Sequence, residues 1–188
     1  MPVVLRHSLK ERGMDLYETP PEATEALLRA EKLPHWIWEP AAGRGAIVEV
    51  LRANGHAVIA HDLVDYGYPL HATRRDFLFE GASPYPCNTI VTNPPYKLAA
   101  DFVRKGLELC PKVIMLLRLT FLESEGRSDI LDGGKLSRVH VFSNRLPMMH
   151  RDSWSGPKST NTVCFAWFVF DRDHEGPAIL NRISWTKD

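Results

Sequence analysis

The chain has 188 residues, 44% of them hydrophobic and 24% charged, and its 23 basic and 23 acidic residues cancel; this is the make-up of a globular protein long enough to bury a core without disulfides or metals, and it argues against one that grips its partner mainly by neutralising phosphates. Cys87, Cys110 and Cys164 are scattered, with no CxxC spacing and no Cys/His cluster, so neither a disulfide framework nor a metal site is expected, and a reduced, cytoplasmic location follows. No apolar run approaches the roughly 18 residues of a spanning helix, and the opening MPVVLRHSLKERG has too short an apolar segment for a secretory signal, so no membrane partner is expected.

No repeat, low-complexity tract or Gly/Ser-rich linker divides the chain, which predicts one domain over residues 1–188. TPPEATEALLRAEKL predicts a helix with Thr19 as its cap, prolines in the first turn, and Ala23, Ala26, Leu27 and Ala30 on one face. HWIWEPAA reads as a short buried strand. Gly43 and Gly45 follow it, and AIVEVLRAN predicts a helix stopped at Asn54-Gly55. AVIAHDL is a strand with an acidic end, RRDFLF a weaker strand, and CNTIVTN another. LAADFVRKGLELC predicts an amphipathic helix, and KVIMLLRLT a strand buried on both faces. RVHVFSN and TVCFAWFVF complete the predicted strands.

Strands alternating with helices predict an α/β fold of Rossmann-like, doubly wound type, with a mostly parallel sheet covered on both sides. The final strand follows SNRLPMMHRDSWSGPKSTN, which has no helical period. That strand is therefore expected to run antiparallel to its neighbours or to be reached by a long loop. The loop, residues 144–161, is a candidate for the substrate side, and its Trp154 could either stack on a base or dock the loop on the core. Trp36, Trp38, Trp167 and Trp185 read as core or rim aromatics. Between Lys97 and Thr160, 11 Lys and Arg stand against 7 Asp and Glu, consistent with a modestly basic face or with an unevenly charged solvated surface.

EPAAGRGAIVEV places Gly43 and Gly45 between a strand and a helix, where the backbone can turn sharply and approach a ligand. The dinucleotide fingerprint is incomplete, because Val48 stands where a third glycine or alanine is wanted. Asp62, 19 residues after Gly43, ends the next strand, where a carboxylate can accept from ribose hydroxyls; a solvated strand end is the plainer alternative. Glu39, beside the turn, would repel a pyrophosphate and attract an ammonium or sulfonium. A nucleoside carrying positive charge describes S-adenosylmethionine.

VTNPPYK, residues 91–97, ends a buried strand by removing two backbone donors and then presenting a tyrosine. An exocyclic amino nitrogen is a poor nucleophile because its lone pair is delocalised. Two acceptors on its hydrogens would draw it toward a tetrahedral shape. Asn93 Oδ1 is one such acceptor and the Pro94 carbonyl the other; Pro95 keeps Pro94 extended, and neither proline competes as a donor. Tyr96 could stack on the planar target. A simple strand-ending turn is the alternative for the stretch alone.

EPAAGRG, HDL, RRDFLF and VTNPPY, in that order, resemble the motifs of the class I S-adenosylmethionine-dependent amino-methyltransferases, especially adenine-specific DNA methyltransferases and their small phage-type relatives. DLYETPPEATEALL resembles the segment that precedes the cofactor motif there, so the likeness spans roughly residues 14 to 120. It implies that Tyr17 and Thr19 line the cofactor site, that Glu39 and the 41–45 turn, beginning at Ala41, hold the methionine part, that Asp62 holds the ribose, and that Asp76 with Phe77 meets the adenine. Asn93, Pro94, Pro95 and Tyr96 would hold the target. It also implies a seven-stranded sheet with the last strand antiparallel. No segment is long enough for the separate target-recognition domain usual in that group, so recognition would fall to a loop or a specificity partner, or be nearly absent. DNA is the first partner, with RNA bases and protein glutamine amides as alternatives, and a cofactor-binding protein without catalysis is the rival of another class. A cytosine-carbon mechanism would need a cysteine at the site, but Cys87 opens its strand roughly 20 Å from the crevice. His61 reads as a strand-end residue.

Overall fold

A computed structural model describes residues 17–69, 73–146, 149–150 and 163–186. Asp15, Leu16, Trp154 and most of the 144–161 loop lie outside the described residues.

Its elements are β1 (Tyr17–Glu18), α1 (Pro21–Ala30), β2 (Trp36–Glu39), α2 (Ala46–Ala53), β3 (Ala57–Asp62), β4 (Thr73–Arg74), β5 (Thr89–Thr92), α3 (Ala99–Leu109), β6 (Lys112–Arg118), α4 (Ser128–Leu131), β7 (Leu136–Phe142), β8 (Met149–His150), β9 (Phe165–Asp171) and β10 (Ile179–Ile183). Eight strands form the main sheet in the order β10-β7-β9-β6-β5-β2-β3-β4, and β1 pairs with β8 in a two-stranded ribbon. From β4 to β6 all pairings are parallel, while β9 runs antiparallel to both β6 and β7. The expected doubly wound sheet with its antiparallel strand is thus present. One strand beyond the expected seven, β10, adds in parallel to the outer side of β7.

Alternation along the strands builds two cores, one on each face of the sheet. Ile37, Val91, Ile114, Leu116 and Trp167 pack with Ala23, Leu27, Val48 and Leu51 of α1 and α2 on one side. Trp38, Ile90, Met115, Leu117 and Phe168 pack with Phe102 and Val103 of α3 on the other. The segment Val113–Leu117 of β6 is at most 1% exposed, as its unbroken apolar run requires.

Two local expectations are corrected. Thr19 does not cap α1: Pro20 occupies the cap position without a side-chain bond, and the Thr19 hydroxyl accepts from Asn93 instead. In RRDFLF only Arg74 is in a strand. Asp76 Oδ1 accepts the Leu78 N–H at 3.1 Å and starts a 3-10 turn over Phe77–Phe79, so Phe77 is buried while Phe79 is exposed.

At the end of α1, Glu31 is buried and accepts from Arg138 and from His140 Nε2 on β7, with Lys112 Nζ at 3.8 Å. Burial pushes its carboxyl up, but the His140 and Arg138 hydrogen bonds outweigh this and hold it at about 2. A depressed folded value contributes stability that is present above about 4.5 and is lost as pH falls toward 2. Glu31→Ala should cost about 2–3 kcal/mol in urea unfolding, less than for a fully buried pair because Arg138 keeps some solvent contact. It should also flatten the acid limb of the stability curve.

Candidate active site

Strand order reverses beside β2: the chain runs outward through β3 and β4, then returns to β5 on the other flank of β2. The carboxyl ends of β2 and β5 therefore open a crevice, where open α/β sheets bind ligands. Here the turn after β2 is tied down by its neighbours. The Ala42 N–H donates to the His61 carbonyl at 2.9 Å, the Gly43 N–H to Asp62 Oδ2 at 2.8 Å, and the Gly45 N–H to the Ala42 carbonyl at 2.7 Å.

The two glycines serve different ends. Gly43 (φ 54°) lines the cavity. Gly45 (φ 85°) does not: a Cβ there would lie 2.4 Å from the Tyr68 ring, which is held by Tyr68 Oη donating to Glu49 at 2.6 Å and accepting from Arg52 at 3.0 Å. Gly45→Ala should therefore lower stability by about 2 kcal/mol through the left-handed backbone and the displaced ring, measurable as a lower denaturation midpoint.

The crevice holds a cavity of about 290 Å³. Of the predicted site residues, Tyr17, Thr19, Glu39, Ala41, Gly43, Asp62, Asp76, Phe77, Asn93, Pro94 and Pro95 line it, joined by Leu63, Val64, Leu78 and Leu98. Gly45 and Tyr96 do not. Asp62 accepts the Gly43 N–H through Oδ2 and the Val64 N–H through Oδ1, the latter at 2.9 Å; each oxygen keeps one lone-pair site for a ligand. Phe77 is only 3% exposed, its ring packed on Trp38 and Phe102.

Glu39 is fully buried. Its Oε1 accepts the Ala41 N–H at 3.3 Å, while Oε2 has no hydrogen-bond partner among the described residues. Thr92, on the adjacent strand, is near enough to favour the charged form but makes no hydrogen bond of ordinary geometry. Burial raises the carboxyl to about 8, and the Asp62 charge pushes in the same direction. An orphaned acidic oxygen on a cavity wall calls for a cation or a donor.

Asn93 is held in one orientation. Its Nδ2 donates to the Tyr17 carbonyl at 2.9 Å and to Thr19 Oγ1 at 3.1 Å. A carbonyl can only accept, so the amide cannot be turned the other way. Asn93 Oδ1 is thereby left buried and without a hydrogen-bond partner among the described residues. The β1–β8 pairing fixes the backbone that supplies the Tyr17 carbonyl. Tyr96 lies beside the cavity, its ring centroid 5.2 Å from that of Tyr17 and 5.7 Å from that of Phe165, with the Arg118 guanidinium 4.6 Å over it.

Thr92 and Arg118 escaped the sequence reading. Arg118 had a signal: it is the cation that ends the apolar run of β6, at the carboxyl end where the site lies. Thr92 had none beyond its place before Asn93. Cys87 is buried, and burial pushes its thiol up to about 11, as befits a structural cysteine. His61 is buried, its Nδ1 accepting from Trp38 Nε1 at 3.0 Å. Trp38 and Trp167 are core and Trp36 is at the rim. No group of side chains that could hold a metal occurs among the described residues, and no helix among them is long and apolar enough to cross a membrane.

No protein-family model matches the chain, and no curated protein matches it. Solved structures do. A Pyrococcus horikoshii protein provisionally described as an RNA methyltransferase superposes with a TM-score of 0.60 at 15% identity, over 84% of this chain and 88% of that one. A dimethyladenosine transferase from Plasmodium falciparum gives 0.53 at 16%, over 83% and 62%. A SAM-dependent O-methyltransferase from Thermotoga maritima gives 0.50 at 16%, over 82% and 66%. At these identities the likeness establishes the fold, which is the one these methyltransferases share.

Proposed function

We propose that this chain binds S-adenosylmethionine in the crevice and transfers its methyl group to an exocyclic amino nitrogen, with adenine in DNA as the first substrate. One observation carries the reading: Asn93 is locked through its nitrogen, so its oxygen stands buried beside Pro94 and unpaired among the described residues. A turn that merely ended a strand would have no use for an oriented, unsatisfied acceptor.

The residues fit the cofactor. The unpaired Glu39 Oε2 meets a positive charge, Asp62 retains lone pairs for ribose hydroxyls, and Asp76 with Leu78 and Phe77 supplies a polar edge on an apolar wall for a base. When bound, S-adenosylmethionine supplies a methyl group activated by a sulfonium. Asn93 Oδ1 and the Pro94 carbonyl accept the two amino hydrogens, turn the nitrogen lone pair out of conjugation and stabilise the positive charge that grows there. Two oriented acceptors match the two hydrogens of an amino target, whereas a hydroxyl, with one hydrogen, would engage only one of them.

A tritiated-methyl transfer assay across DNA, RNA and protein tests the reading. N6-methyladenine in a DNA hydrolysate is the expected product. An RNA base amino group is the second reading, since one fold neighbour is provisionally described as an RNA methyltransferase and another is a dimethyladenosine transferase. Label in protein alone would move the target to a glutamine amide. Cofactor binding with no transfer to any of the three would leave a binding protein.

A further inference from the structure

Tyr96 is the ring on which a target base is expected to stack, yet its face is already taken. The Arg118 guanidinium lies 4.6 Å over the ring centroid. Arg118 is exposed and stands at the carboxyl end of β6, and its guanidinium has no hydrogen bond or ion pair among the described residues. The cation lies over one electron-rich face of the ring, the kind of surface on which a base stacks. Base stacking outweighs an exposed cation–π contact, so an incoming base can take the ring from a side chain that nothing else restrains.

We propose that Arg118 is a specificity-determining residue for nucleic acid: it covers Tyr96 in the free protein, leaves the ring when the target base stacks there, and then pairs with a phosphate flanking the target nucleotide. The inference rests on the amino-methyltransferase reading for the identity of the site but makes its own demand on the substrate. Guanidinium is suited to this double use, since it stacks as a plane and grips phosphate oxygens through paired N–H donors. A protein amide offers no phosphate. Arg118 would then have no partner after leaving the ring.

The test is direct binding of fluorescein-labelled, adenine-containing DNA and RNA oligonucleotides across a salt series, with wild type, Arg118→Ala, Arg118→Lys, Tyr96→Ala and the Arg118→Ala, Tyr96→Ala double variant, alongside calorimetry with S-adenosylmethionine. Arg118→Ala should weaken binding about tenfold at moderate salt and flatten the slope of log affinity against log salt by about 0.7–0.9, the share of one phosphate contact. Arg118→Lys should restore the slope, because its charge remains, and Tyr96→Ala should weaken binding with the slope unchanged. Cofactor affinity should be the same in wild type and both Arg118 variants. If Arg118→Ala left the slope intact, or lost affinity only through Tyr96, so that the loss vanished in the Tyr96→Ala background, the arginine would be a packing group and the proposal would be overturned. If neither DNA nor RNA bound wild type, it would likewise fall. Because the oligonucleotide readout needs no turnover, a chain that bound nucleic acid with the expected slopes but transferred no methyl group would sink the catalytic reading and leave the Arg118 contact standing.

Discussion

Asn93→Ala should transfer methyl groups about a hundredfold more slowly than wild type while binding S-adenosylmethionine with nearly unchanged affinity. The oxygen removed is buried, unpaired and held in place by two bonds to the other end of the same amide. Such preorganisation matters because the acceptor needs no reorganisation as positive charge develops on the target nitrogen; losing one costs on the order of 3 kcal/mol of barrier, hence the hundredfold. Asn93→Asp separates the oxygen from its support. It keeps an acceptor toward the cavity but sets an oxygen against the Tyr17 carbonyl, now 2.9 Å from the amide nitrogen, so it should also be slow. Single-turnover rates at saturating cofactor, with calorimetry for affinity, read both effects. A wild-type rate in Asn93→Ala would reduce VTNPPYK to a strand-ending turn.

The parts of this site that local sequence dictates were legible before any coordinates. The apolar run of β6 can be buried only on both faces, and GRG between a strand and a helix can only be a tight turn. These fix which strand ends meet, and with them the positions of Glu39, Asp62 and Asn93. What stayed hidden depends on contacts between distant segments. β10 was missed because Ile179 and Leu180 are exposed at a sheet edge, so ILNRI carries neither strict alternation nor a buried run. Thr19 reads as a helix cap until the fold brings Asn93, 74 positions later, against its hydroxyl. Gly45 reads as a ligand-facing glycine until Tyr68 is seen behind it. Arg118 and Tyr96 belong to different motifs, and only the adjacency of β5 and β6 lays one over the other.

Glu39→Gln should lower affinity for S-adenosylmethionine about thirty- to a hundredfold and remove a pH dependence that wild type shows. In the free protein the buried carboxyl titrates near 8 rather than 4.5, so it is protonated at neutral pH. A cationic ligand favours the carboxylate. Binding below pH 8 should therefore expel a proton, and affinity should rise with pH until about 8 and then level off. The free protein behaves oppositely. Its folded-state value is raised, so more protons are bound folded than unfolded between about 4.5 and 8, and stability conferred at low pH is lost as pH climbs through that window. Glutamine keeps the shape and an acceptor oxygen but cannot ionise; it should abolish both slopes while giving up a charge-assisted hydrogen bond of about 2–3 kcal/mol. The amino group of the ligand titrates too, near 8, but it does so equally with both proteins, so the difference between them isolates Glu39. Calorimetry in two buffers of unlike ionisation heat counts the protons. Equal affinity at pH 6 and pH 8 with no proton released would mean that no cation sits against Glu39, and the cofactor would have to lie elsewhere in the crevice.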